Sequence, residues 1–169
     1  MLYSYFKLGP TIRVLSLSRC GITDATLEVL IDAVNESLSL EDLDLSHNRI
    51  GALESGGCFN KYESPVAHLL ESNHLLVKVD ISDNLLSGDG VGLIGAAIRG
   101  SSSLQDVNLS HNNIGNRGGS LMLEAVKETR SLHRIDLRRC LIPEYLCDQI
   151  SIACVERCTQ GWLLKVELA

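Results

Sequence analysis

One apolar block recurs along this chain at a near-constant interval. It carries aliphatic residues at its first, fourth, sixth and eleventh positions and Asn or Cys at its ninth. The copies read Ile12-Leu15-Leu17-Cys20-Ile22, Leu40-Leu43-Leu45-Asn48-Ile50, Leu76-Val79-Ile81-Asn84-Leu86, Leu104-Val107-Leu109-Asn112-Ile114 and Leu132-Ile135-Leu137-Cys140-Ile142. Their starts at 12, 40, 76, 104 and 132 lie 28, 36, 28 and 28 residues apart. Each such unit is one supersecondary element that cannot bury its apolar face alone, so neighbours must stack. The chain is committed to an array rather than to a single closed core.

Within the block, Leu43 and Leu45 alternate with polar neighbours, the period-two pattern of a strand with one buried face. The strand must be short, about three to five residues, to fit one turn of the array. The second half of each unit switches to helical spacing. Leu27, Leu30, Ala33 and Val34 form one apolar stripe; Leu93, Ala96, Ala97 and Ile98 follow Gly90; Leu121, Leu123, Ala125 and Val126 follow Gly118 and Gly119. These spacings predict helices of about three turns. Strand, helix, strand in parallel connection gives right-handed crossovers.

The 36-residue interval holds eight extra residues after Ile50. They form an enlarged rim loop before a helix expected at Ser64-Pro65, an N-cap followed by proline at the first helical position. Phe59 and Tyr62 stand in or beside that loop, in a chain only 4% aromatic. They either cover the apolar end of the next helix or form a finger that contacts a partner. Residues 1–11 read as a partial cap or remnant helix, and 12–169 as the repeat domain. Leu163, Val166 and Leu168 begin a partial sixth unit. No polar terminal cap follows, so neighbouring repeats or another subunit are expected to cover the open ends.

Net charge is −6, which argues against nucleic acid as ligand, because phosphate binding needs concentrated positive charge. No stretch approaches bilayer-spanning length, and no signal peptide is evident. The cysteines follow the repeats rather than a disulfide framework. Cys20 and Cys140 occupy the Asn position, while Cys147, Cys154 and Cys158 fall in the last helix. A bridge between helix positions four apart has poor geometry, so reduced, buried thiols and a cytoplasmic location are expected.

The units resemble leucine-rich repeats of the ribonuclease-inhibitor-like class. The 28-residue length, the full helix per unit and the mixture of Asn and Cys at one position carry the likeness, and Asp44-Leu45-Ser46-His47-Asn48 and Asn108-Leu109-Ser110-His111-Asn112 are particularly close to that class. The resemblance implies an α/β solenoid, a horseshoe segment with a parallel sheet on its concave face and helices on its convex face. It also implies a protein–protein interaction scaffold or adaptor, part of a larger cytoskeletal, ciliary or signalling assembly. The alternative it raises is a regulator of a small GTPase like the Ran GTPase-activating protein, with Asn113, Asn116 or Arg117 acting from the rim.

Partner-facing residues should flank the buried strand positions. Those are Asp42, Asp44, Lys78, Asp80, Asp106, Asn108, Arg134, Asp136 and Arg138. The aspartates form an acidic stripe suited to a protein with a basic surface, or simply keep the strand face solvated. Arg134, Arg138 and Arg139 make the C-terminal end basic. Cys20, Asn48, Asn84, Asn112 and Cys140 are expected to form a buried ladder that hydrogen-bonds the turning backbone. Catalysis has little support: Ser46-His47 and Ser110-His111 recur as turn residues rather than as a nucleophile and base. No cofactor is implied, and no fourth ligand accompanies Cys147, Cys154 and Cys158 for zinc.

Overall fold

The computed structural model describes residues 12–51 and 64–168. The proposed cap over 1–11 and the rim residues Phe59 and Tyr62 lie outside that description. Strands and helices alternate: β1 (Val14–Ser16), α1 (Asp24–Asn35), β2 (Asp42–Asp44), α2 (Pro65–Ser72), β3 (Lys78–Asp80), α3 (Gly88–Gly100), β4 (Asp106–Asn108), α4 (Gly115–Glu128), β5 (Arg134–Asp136), α5 (Glu144–Thr159) and β6 (Lys165–Glu167).

The six strands pair in chain order, all parallel. Their register follows the sequence block: Leu15, Leu43, Val79, Val107, Ile135 and Val166 stand opposite one another along the sheet. The insertion after Ile50 leaves that register untouched, because it enters after the strand has closed. A one-residue slip would send every buried aliphatic to the outer face, so the core pins the pairing.

Three aliphatic rows fill the space between sheet and helices. Leu40, Leu76, Leu104 and Leu132 form one, Leu43, Val79, Val107 and Ile135 the second, and Leu45, Ile81, Leu109 and Leu137 the third, all buried. Helix residues Ile31, Leu69, Ile94, Ile98, Met122 and Ile150 close the other side. At about 25 cal/mol per Å² of apolar surface, this shared core is what holds units too small to fold alone.

Two readings change at the helices. The glycines expected before the third and fourth helices lie inside them, since α3 begins at Gly88 and α4 at Gly115. At Gly118 and Gly119 the reason is steric, whereas a Cβ on Gly90 would meet nothing within 4 Å. A Cβ on Gly118 would lie 2.4 Å from Ile114 Cγ2 and 3.0 Å from Gly88 Cα, so α3 and α4 meet through two residues without side chains. At the C-terminal unit, Leu164 is buried and Leu163 exposed, although Leu163 holds the block's first position. Helix α5 runs 16 residues against 14 in α4, and Gly161 at φ +89° follows it before β6.

Candidate functional site

Strands β2–β5 bury their middle side chains, with Leu15 and Val166 half-buried at the two ends of the sheet, and the first and third residues of each strand lie on the opposite face, where Asp136 is covered by its neighbours. The outward residues make the open face of the sheet, with Val14, Asp42, Lys78, Asp106, Arg134 and Lys165 in one row and Ser16, Asp44, Asp80, Asn108, Asp136 and Glu167 in the next.

The second of these rows has a local task that explains its residue types. Asp44 Oδ1 accepts from the Ser46 amide at 2.9 Å, Asp80 Oδ1 from Ser82 N at 2.9 Å, Asn108 Oδ1 from Ser110 N at 3.1 Å and Asp136 Oδ1 from Arg138 N at 3.0 Å. Each side chain satisfies an amide two residues on, where the strand turns away from its ladder. The same groups also link neighbouring strands. Ser16 Oγ donates to Asp44 Oδ2 at 2.8 Å, and Asn108 Nδ2 donates to Asp80 Oδ2 at 2.8 Å.

Charge is divided unevenly across this face. Over β4–β6 the acids and bases neutralise one another. Arg134 reaches Asp106 at 3.2 Å and Glu167 at 3.1 Å; Arg138 binds Asp136 and lies 3.3 Å from Glu167; Lys165 lies 3.0 Å from Glu167. The C-terminal end is therefore not the free basic patch expected from Arg134 and Arg138, and Arg139 lies on the rim beyond the strand rather than on the face. Over β2–β3, in contrast, Asp42, Asp44 and Asp80 share one cation among the described residues, Lys78, whose Nζ is 3.2 Å from Asp42.

The carboxyl environments follow from these contacts. Burial opposes the charge on Asp44, but the Ser46 hydroxyl and amide and the Ser16 hydroxyl outweigh it and hold the carboxyl below its ordinary value. For Asp136, fully buried, burial again works against the charge, and the Arg138 guanidinium and amide overcome it. Lys165 and then Arg134 lower Glu167. All three remain carboxylates at neutral pH.

Beneath the turn, the three asparagines contact two units at once. Asn48 Nδ2 donates to Leu45 O at 2.8 Å and to Leu17 O of the preceding unit at 3.0 Å, while its Oδ1 accepts from Ile22 N at 2.9 Å. Asn84 donates to Leu45 O at 3.0 Å and accepts from Ile50 N at 3.0 Å. Asn112 donates to Leu109 O at 2.8 Å and Ile81 O at 3.0 Å and accepts from Leu86 N at 3.1 Å. Cys140 places its Sγ 3.2 Å from Leu109 O, and burial pushes its thiol up to about 11, so at neutral pH it keeps the proton it donates. Cys20 departs from the set. It is exposed, and among the described residues its Sγ reaches only Ser18 O of its own unit at 3.5 Å, since no described strand precedes β1.

Cys154 is buried and Cys147 half-buried, but Cys158 is exposed, which corrects the expectation of three core thiols. No group of three or more His, Cys, Asp or Glu residues able to hold a metal occurs among the described residues. His47 and His111 project from the turn while Ser46 and Ser110 are buried. The rim residues Asn116 and Arg117 are engaged, Asn116 by the Tyr145 hydroxyl and Arg117 by Asp89 at 2.7 Å. No described helix is long and apolar enough to cross a membrane.

Comparison with known proteins agrees with this architecture. The Leucine Rich repeat family model matches residues 10–30, 36–53 and 100–123. Ribonuclease inhibitor from Mus musculus is 22% identical over 139 residues, covering 82% of this chain and 29% of that protein. Protein NLRC5 from Mus musculus is 32% identical over 96 residues, 57% of this chain and 5% of its own length. The chain thus spans less than a third of either relative. Among solved structures, the tropomodulin C-terminal domain of Caenorhabditis elegans superposes with a TM-score of 0.70 at 16% identity, covering 95% of both chains. Leiomodin-1 actin-binding site 2 superposes with a TM-score of 0.67 at 13% identity, covering 95% of this chain and 91% of that one. At such identities the likeness speaks to fold alone. With the in-register parallel sheet and the repeated block, these matches support a leucine-rich-repeat protein of the ribonuclease-inhibitor-like type.

Proposed function

We propose that this chain is a protein-interaction scaffold that docks a basic segment of a partner protein over β2 and β3. The carrying observation is the uneven pairing of charge on the open sheet. Among the described residues, Asp42, Asp44 and Asp80 have one lysine among them, whereas Arg134 and Arg138 are held by Asp106, Asp136 and Glu167. A cationic partner would find its attraction on the N-terminal half of the face and a self-neutralised, rigid surface on the other half. Such complementarity governs steering and orientation more than raw affinity. Leiomodin-1 actin-binding site 2, by its name, puts this fold to use in binding a cytoskeletal protein. That supports protein docking here and a cytoskeletal, cytoplasmic setting.

The test follows from the turn chemistry. Asn108 already performs the aspartate's capping role at the equivalent position, so Asp44→Asn with Asp80→Asn removes charge while keeping the turn. With the partner captured by crosslinking and identified by mass spectrometry, the double variant should bind it about tenfold more weakly at low salt, and the gap should close as salt rises. Equal affinity at every salt concentration dismisses the docking face.

A further inference from the structure

The strand-to-helix turns carry a second surface, on the rim rather than the sheet. The residue before each Asn or Cys of the block has left-handed backbone, with φ +58° at Arg19, +55° at His47, +50° at Asp83, +60° at His111 and +55° at Arg139. Glycine adopts this conformation without strain, and a side chain there is disfavoured. No unit uses glycine. Each places an exposed charged or ionisable side chain instead.

Parallel strands lie about 4.8 Å apart, so the four intervals from Arg19 to Arg139 span about 19 Å. In the middle, His47 Nδ1 and Asp83 Oδ2 satisfy each other at 2.5 Å. Arg19, Arg139 and also Arg49, two residues beyond His47, are exposed and make no side-chain hydrogen bond or ion pair among the described residues. Leu85 and Leu141 hold the same place after Asp83 and Arg139 that Arg49 holds after His47, and they are 51% and 71% exposed. On a molecule of net charge −6, one edge therefore presents three unpaired guanidiniums interleaved with two bare leucines.

We propose that this rim binds an extended, acidic protein segment with aliphatic residues between its carboxylates. Arginine suits that task because its planar fork grips a carboxylate through two parallel hydrogen bonds. Extended chain advances about 3.3 Å per residue, so about six residues bridge Arg19 to Arg139. The leucines favour a protein ligand over a bare phosphate chain, which would leave them in water. The acidic sheet over β2–β3 repels the same segment, so rim and face accept partners of opposite charge.

The probe is a fluorescein-labelled octapeptide of alternating Glu and Leu, titrated by anisotropy into the full chain. Binding should weaken as salt rises from about 50 to about 300 mM. Arg19→Glu, Arg49→Glu and Arg139→Glu together should weaken it at least about tenfold, while Lys at the same three positions should retain most of it. Asp44→Asn with Asp80→Asn should bind the peptide no less tightly, which separates this rim from the sheet face. Unchanged affinity in the charge-reversed protein overturns the proposal. So does binding of single-stranded RNA or phosphatidylserine vesicles without binding of the peptide. If circular dichroism shows the triple variant unfolded, Arg139→Glu and Leu141→Asp singly carry the same test, and equal affinity in both overturns it.

Discussion

The guanidinium of Arg157 in α5 donates from Nη1 to the carbonyl of Val126 in α4, at 2.6 Å. Val126 lies in the last turn of its helix, where carbonyls have no intrahelical partner and the helix dipole favours a cation. Arg157 is buried, its Nε has no partner among the described residues, and burial lowers its affinity for the proton. The contact thus staples the fourth unit to the fifth at the cost of a desolvated charge. Arg157→Ala should lose about 2–4 kcal/mol, combining an unmet carbonyl with lost packing of the side-chain stem. At about 2–4 °C per kcal/mol for a chain of this size, a thermal melt resolves it readily. Arg157→Met, which keeps the stem without the charge, should recover part of the loss. A melt of Arg157→Ala within 1–2 °C of wild type, about half a kcal/mol, would show the contact to be idle.

The asparagine and cysteine units invite a direct comparison. Asn112 serves carbonyls at 81, 109 and 110 and the amide of Leu86, whereas the Cys140 thiol has a single proton to offer the carbonyls of Leu109 and Arg138, at 3.2 and 3.5 Å. Removing a buried partner costs more when several groups are stranded. Asn112→Ala should therefore cost about 3 kcal/mol and Cys140→Ala about 1 kcal/mol. Urea denaturation of the two variants compares them, and equal losses would mean that the asparagine's extra bonds contribute nothing net.

What the sequence disclosed, and what it hid, divides along physical lines. Strand positions, register and the aliphatic rows were legible because a period-two pattern repeated every 28 residues allows one solution. The start at Ser64 was legible for a local reason: a Ser-Pro pair specifies an N-terminus, and Ser64 Oγ indeed accepts from Ala67 N at 3.4 Å. Helix starts at Gly88 and Gly115 were not, because glycine signals a break: at Gly88 only the fold shows the backbone of Ile114 and Gly118 that needs the space, and at Gly115 only the fold shows the left-handed φ of +61° from which the helix starts. The pairing of Arg134 and Arg138 was also hidden. It depends on side chains of three strands, and only the register brings Glu167 beside Asp136. Arg157 stands among charged residues near a helix end, and nothing local distinguishes it from a solvated arginine. The left-handed row escaped notice because Arg, His and Asp there carry no glycine signal.

Glycines of opposite consequence lie within two adjacent helices. A Cβ on Gly118 would meet Gly88 Cα at 3.0 Å, backbone that cannot step aside without separating α3 from α4. A Cβ on Gly90 would meet nothing within 4 Å. Alanine improves helix propensity by about 1 kcal/mol at both sites. Gly90→Ala should accordingly stabilise by about 0.5–1 kcal/mol, while Gly118→Ala should destabilise by about 1–3 kcal/mol through overpacking. Calorimetry should show melting temperatures moving in opposite directions, and movement in the same direction refutes the close approach.

Acid should unlock the C-terminal strands through Asp136. Its folded carboxyl titrates below the unfolded value of about 3.9, because Arg138 stabilises the charged form more than burial disfavours it. A depressed carboxyl contributes stability that is fully present above the unfolded value and is lost as pH falls through the folded one. Asp44 and Glu167 are shifted in the same direction and add to the same limb. Wild-type stability, followed by chemical denaturation, should be flat from pH 7 to about pH 5 and then fall steadily to about pH 2.5. Asp136→Asn keeps an oxygen for the Arg138 amide but cannot titrate. It should be less stable than wild type at pH 7 and should converge with it as the medium turns acidic. Parallel pH curves for the two proteins would place the acid sensitivity elsewhere.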